Sequence, residues 1–291
     1  MSRFFRRKAL LVSCLVLMFL PVASCTTETV PPDFSAARTR ELAVMARLES
    51  VYDVNRNGGI YLRQDPTHGL VIRAGVGNVM PKGHSFNGKV PKEFVDRHKA
   101  IVINALAEFQ QMETLYLNSL PSEHLQLLNK LTRLKRLELD VLNKSVPEFL
   151  SRRPQIETLV IGSDILTVEN LQALGTAKHL KRLELICPTI FRNPKDHQVY
   201  DAIGSLIQLD SLRLELIEIS REDLKRLNKL PLKRLRLSKL KVPYLGHNVT
   251  KPDPYHHLAD LFEEIGAFSQ LEELEIEIQT RLCLKTDLFS T

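Results

Sequence analysis

The chain is punctuated by pairs of apolar residues spaced two apart. They are Leu115/Leu117, Leu137/Leu139, Leu159/Ile161, Leu183/Leu185, Leu212/Leu214, Leu235/Leu237 and Leu274/Ile276. The steps between first members are 22, 22, 24, 29, 23 and 39 residues. Another apolar residue stands three positions before each pair: Met112, Leu134, Ile156, Leu180, Leu209, Leu232 and Leu271. Side chains two apart on an extended backbone share one face, so each pair predicts a short strand turned into a core. Recurrence at this period predicts a stack of repeats. Between the pairs, ENLQALGTAKHL (169–180) and REDLKRLNKL (221–230) carry apolar residues at intervals of three and four. That spacing predicts short helices, with Thr167 and Ser220 at their N-caps. One such unit cannot hide its apolar side by itself, whereas a stack can.

These residues resemble the leucine-rich repeat family over 109–284. The resemblance implies an α/β leucine-rich repeat solenoid, with parallel strands on the concave face and short helices on the convex face. A small N-terminal α+β cap is expected at 36–108. The family often carries Asn three positions after the pair, where it ties adjacent turns together. Here those positions hold Leu120, Leu142, Asp164, Pro188, Ile217, Leu240 and Gln279. The turns are therefore expected to close by apolar packing.

The polar residues between the leucines form columns if the strands stack in register. Two positions before each pair the column reads Glu113, Lys135, Glu157, Lys181, Asp210, Lys233, Glu272, alternating in sign throughout. Opposite charges on neighbouring strands attract, so a self-neutralising ladder is expected. The next column reads Thr114, Arg136, Thr158, Arg182, Ser211, Arg234, Glu273. This alternation explains why LKRLEL appears at 134–139 and again at 180–185, two repeats apart. The column inside the pairs is irregular: Tyr116, Glu138, Val160, Glu184, Arg213, Arg236, Glu275. Tyr116, Arg213, Arg236 and Glu275 are candidates for partner binding, because a broad mixed-charge surface suits a protein better than a small molecule.

The last interval, of 39 residues, contains an insertion, VPYLGHNVTKPDPYHH (242–257). Insertions in repeat proteins become loops on one face, often the binding face. Tyr244, His247, Tyr255 and His257 extend the candidate binding set. A hydrolase or metal-dependent site in 243–257, using His247, Asp253, His256 and His257, is the alternative. Adjacent histidines ligate one ion poorly, so no metal or other cofactor is expected.

The first 24 residues have a basic start and then an apolar run from Ala9 to about Leu20, the layout of a secretory signal peptide. The run is shorter than the roughly 20 residues a membrane-spanning helix needs. Val22-Ala23-Ser24-Cys25 resembles the lipobox of bacterial lipoproteins. The resemblance implies cleavage before Cys25 and lipid on its sulfur, followed by a polar tether over 25–35. Thr26 occupies the position where that family's inner-membrane retention signal usually has Asp. The resemblance thus implies the outer membrane if the host has one, and otherwise the outer face of the cell membrane. Arg3, Arg6, Arg7 and Lys8 also account for most of the formal charge: removing these four from +6 leaves +2. A mature charge near zero gives no reason to expect nucleic acid.

Residues 36–52 predict an amphipathic helix with Leu42, Met45, Leu48 and Tyr52 on one face. Residues 59–76 predict two strands joined at Asp65–Gly69, and 100–111 a helix leading into the repeats. GHSFNGKV (83–90) imitates a phosphate-binding loop but has Val90 where the Mg²⁺-binding hydroxyl is needed. Cys187 and Cys283 lie too many repeats apart for a disulfide. No motif with catalytic spacing stands out, so the expected function is noncatalytic binding of an unidentified protein. Residues 285–291 form a short tail.

Overall fold

The computed structural model describes residues 34–54, 59–77, 79, 81–82, 91–118, 122–162, 166–186, 197–215, 219–240 and 261–278. All belong to the second of two units into which the chain divides, Met1–Asp33 and Phe34–Thr291. The signal segment, Cys25, the 83–90 loop, Cys187, Cys283, the 242–257 insertion and the 285–291 tail lie outside the described residues.

Each leucine pair forms a strand, and the strands follow one another in sequence order. Helix α1 (Ser35–Val51) precedes the hairpin of β1 (Ile60–Gln64) and β2 (Val71–Val76). Helix α2 (Lys92–Leu106) leads to β3 (Thr114–Leu117). Then come β4 (Arg136–Leu139), α3 (Ser145–Ser151), β5 (Thr158–Ile161), α4 (Val168–Ala173) and β6 (Arg182–Ile186). The series ends with α5 (His197–Gly204), β7 (Ser211–Glu215), α6 (Arg221–Leu227), β8 (Arg234–Leu240) and β9 (Glu273–Ile278). A 3-10 helix at Ser122–Lys130 takes the place of an α-helix between β3 and β4. Among the described residues the sheet has nine strands in the order β1 to β9. Only β1 runs antiparallel to its neighbour; β2 to β9 are parallel.

The register is the one the leucines demand. Leu115, Leu137, Leu159, Leu183, Leu212, Leu235 and Leu274 pair strand to strand. All but Leu274 are at most 1% exposed. The apolar residues three positions upstream, Met112 to Leu232, are equally buried and close the other side of the core. With the inner faces of the helices they form one continuous cluster from Val44 to Phe268. Strand plus helix, stacked in register around a leucine core, makes this an α/β leucine-rich repeat solenoid.

Backbone bonds, rather than an asparagine ladder, close the turns. Before successive strands the amides of Met112, Leu134, Ile156, Leu180, Leu209 and Leu271 donate to carbonyls three residues back, at 3.0–3.3 Å. The carbonyl of Glu113 then accepts from both Lys135 and Arg136, and those of Lys135, Glu157, Lys181, Asp210 and Lys233 repeat the pattern into the following strand. The charge column is thus a backbone seam as well. Its side chains close the expected ladder at Lys135–Glu113 (2.9 Å) and Lys233–Glu272 (3.8 Å). Asp210 lies nearer Arg234, at 3.7 Å. Leu142, at the position where the family often has Asn, is buried as apolar packing requires. Thr167 and Ser220 cap α4 and α6, Ser220 in a full capping box with Asp223.

Two expectations are corrected. Helix α1 buries Glu41, Val44 and Leu48 and leaves Leu42 at 48% exposed. Met45, Leu48 and Tyr52 face the core as expected, and in place of Leu42 the helix turns in Glu41, which accepts a 2.7 Å hydrogen bond from the Val71 amide. The helix expected at 100–111 is α2, which starts earlier, just after Pro91, and ends at Leu106. The 59–76 hairpin forms as expected. Its turn is held by Asp65, whose Oδ1 accepts from the amides of Thr67 and His68, and by Gly69 at a φ of +68°.

Candidate protein interface on the sheet face

Helices cover one face of the sheet, and the residues between the leucines line the other. Here the pairing aligns Tyr116, Glu138, Val160, Glu184, Arg213, Arg236 and Glu275 in one row. The row begins one strand earlier at Gly75, which pairs with Tyr116. A side chain at Gly75 would press on the Tyr116 ring, its Cβ lying 3.3 Å from Cδ1. Four of the expected binding residues therefore share one row. Arg213 and Arg236 are direct neighbours, Arg236 pairs with Glu275 at 3.0 Å, and Tyr116 stands apart on β3. Tyr244, His247, Tyr255 and His257 lie outside the described residues.

Ion pairs run along this face. Arg136 on β4 bonds its own-strand Glu138 at 2.8 Å and also reaches Glu184 on β6 at 2.7 Å. Two strand spacings, about 9–10 Å, separate β4 from β6. The pair therefore passes over β5, whose outward residues Thr158 and Val160 are only 8% and 5% exposed. Arg73 on β2 makes the same reach over β3 to Glu138, at 3.3 Å. Small residues on every second strand leave room for these bridges, which is the physical sense of the alternating Thr and Arg column. Burial works against the charge of Arg136, but its Glu184 and Glu138 partners outweigh that and raise its pKa.

Further along, Glu215 receives Arg213 at 2.8 Å and Lys239 at 2.7 Å. Burial would raise the Glu215 carboxyl, but the Lys239 and Arg213 bonds and charges overcome it and hold the pKa below the ordinary 4.5. Lys239 reaches Glu215 through a register shift in β8 between Leu237 and Leu240, with φ at +54°. A bulge of this kind re-aims a side chain that strict alternation would turn inward. At the other end, Asp140 accepts from the Tyr116 hydroxyl (2.9 Å) and from Asn118 (2.8 Å). Burial, then the Asp140 contact, pushes the Tyr116 pKa up to about 12.

One constellation resembles catalytic machinery only in composition. Asp223 accepts from Ser220 Oγ at 2.6 Å and contacts His197 Nδ1 at 2.7 Å. The serine hydroxyl donates to the carboxylate rather than to the imidazole, so His197 does not stand as its base. The group is a helix cap. No cluster of three or more His, Cys, Asp or Glu among the described residues is placed to hold a metal ion. No described helix is long and apolar enough to cross a membrane.

The long bridges and the Lys239 bulge were invisible in the linear pattern, although the alternation of Thr with Arg was their trace. No protein-family profile matches the chain, and no curated protein matches it. Among solved structures, an internalin from Listeria monocytogenes is similar at 16% identity with a TM-score of 0.29. The match covers 61% of this chain and 59% of the internalin chain.

Proposed function

We propose that this chain is a noncatalytic protein-binding module, held at a cell envelope by lipid on Cys25, that binds through the open face of its sheet. The observation that carries the reading is the row from Tyr116 to Glu275, a register-aligned surface of charged and aromatic side chains eight strands wide from Gly75 on β2. Such a surface is too broad and too polar for a small apolar ligand, and it suits a polar protein surface. The anchor rests on Val22-Ala23-Ser24-Cys25, and the outer-membrane assignment on Thr26. The 242–257 insertion, with Tyr244, His247, Tyr255 and His257, supplies further contacts.

Crosslinking in intact membranes, followed by identification of the crosslinked protein, tests the reading. Arg213→Glu with Arg236→Glu is expected to abolish the crosslink while the protein still folds. Replacing residues 246–254 by a Gly-Ser linker is expected to weaken it. A crosslink that persists through both changes places the contact elsewhere. Cys25→Ala is expected to move the protein from the membrane fraction to the soluble fraction or to block its maturation. An unmodified mature N-terminus at another residue, seen by mass spectrometry, would refute the anchor.

A further inference from the structure

The bridges on the open face follow a rule that fails once. An arginine on an even strand reaches over a strand with a Thr to a glutamate two strands on: Arg73 to Glu138, then Arg136 to Glu184. Arg182 on β6 is the next arginine of the series, aligned with Ser211 and then Arg234. Two strands on, in the row where Glu138 and Glu184 stand, it meets Arg236. Like charge replaces the expected partner.

Nearby carboxylates do not make up the deficit. Glu184, two residues along β6, is bonded through both oxygens by Arg136, and its Oε2 also lies 3.5 Å from Arg213. Glu215 is held by Arg213 and Lys239, and Glu275 by Arg236. Arg182 is left exposed with no ion-pair or hydrogen-bond partner for its side chain among the described residues. Two strands on, Arg234 has only the 3.7 Å contact with Asp210 among the described residues. Arg182 on β6 and Arg234 on β8 thus flank the small side chain of Ser211 in one row of the open face.

We infer that Arg182 and Arg234 receive a carboxylate side chain from an acidic segment of a protein partner. The partner's carboxylate supplies the counter-charge that the series gives Arg73 and Arg136 but not Arg182. Guanidinium donors favour carboxylates in paired geometry, and a like-charged field draws in an acidic segment and repels a basic one. The inference rests on the open-face reading above and narrows it to a partner chemistry.

The probe is a fluorescent hexaglutamate peptide, titrated into the purified chain at low and high salt and followed by anisotropy. Binding is expected at low salt and should weaken as screening grows. Arg182→Glu is expected to weaken it by about fivefold or more, and Arg182→Lys by less. Arg133→Glu, the same charge change at an exposed residue in the turn before β4, is expected to leave it within about twofold. Unchanged melting temperature in Arg182→Ala would confirm that the variant folds and that Arg182 has no internal structural partner. Equal losses in Arg182→Glu and Arg133→Glu, or no peptide binding, would overturn the assignment. So would tighter Arg182-dependent binding to phosphatidylglycerol vesicles, which would make the anion a lipid phosphate. If the peptide fails while Arg213→Glu with Arg236→Glu still abolishes the membrane crosslink, the acidic-partner assignment falls and the open-face reading stands.

Discussion

Glu41 is a carboxyl in an apolar setting, 3% exposed, that accepts a hydrogen bond from the Val71 amide. Burial raises its pKa above the ordinary 4.5, and the Val71 bond offsets only part of that. The folded state therefore holds the proton more tightly than the unfolded chain does. The stability that results is complete below about pH 4.5 and is lost as pH rises through the folded value. Glu41→Gln keeps an acceptor for Val71 without the charge. It is expected to melt higher than the parent at pH 8, with an advantage that shrinks toward pH 4. A difference in melting temperature that does not vary between those two values would show that Glu41 is not held against its charge. Glu215 behaves in the opposite sense. Its lowered pKa contributes stability above about 4.5 that is lost as pH falls through the folded value. Glu215→Gln is expected to lower the melting temperature at pH 7, and acid titration should erase the difference. A gap of equal size at pH 3 would assign its cost to packing instead.

Each helix is short, between six and eight residues from α3 to α6. Helices of this length are not stable alone in water, so caps and packing hold them. In α6, Ser220 satisfies the Asp223 amide and donates to the buried Asp223 carboxylate. Ser220→Ala removes both contacts and is expected to cost about 1–2 kcal/mol in urea unfolding. Thr167→Ala at α4 removes one amide acceptor, the bond from Asn170, and is expected to cost about 1 kcal/mol. Equal and negligible costs would mean that α6 is held by leucine burial alone. The caps were readable because an N-cap is a local event involving residues three apart. The inward turn of Glu41 was not, because the amide it satisfies lies 30 residues away.

The stack decides what a repeated residue is worth. Leu183 and Leu274 occupy the same place in the repeat, yet Leu183 is 0% exposed in the middle and Leu274 is 41% exposed on β9, the last described strand. Leu183→Asp puts an unpaired carboxylate into the core and is expected to cost several kcal/mol, roughly 4 or more. Leu274→Asp is expected to cost much less, and Lys181→Ala, on the seam beside Leu183, only about 0–1 kcal/mol. Denaturant unfolding of the three variants checks this. Similar midpoints for Leu183→Asp and the parent would show that the strand register is wrong. Nearest-neighbour coupling gives the reason for the ordering, since a central repeat loses two interfaces and a terminal one loses a single interface.

The repeat, its register, the inward leucines and two of the helix caps were determined by the sequence alone. Each depends on spacing along the chain, and a period repeated seven times leaves one arrangement that turns all the paired apolar residues to one face of the sheet. The alternating columns were legible for the same reason. Tertiary structure decided which charges meet. A strand's outward side chains see neighbours two strands away, so Arg136 bonds Glu184, 48 residues on, rather than an acid on the adjacent strand. It also decided that Lys239 turns outward through a bulge and that Leu274 stays half exposed. Most of all it isolated Arg182. In the sequence this residue repeats the LKRLEL context of Arg136. Only the stacked sheet shows that one of the two arginines finds its glutamate across the next strand while the other faces an arginine.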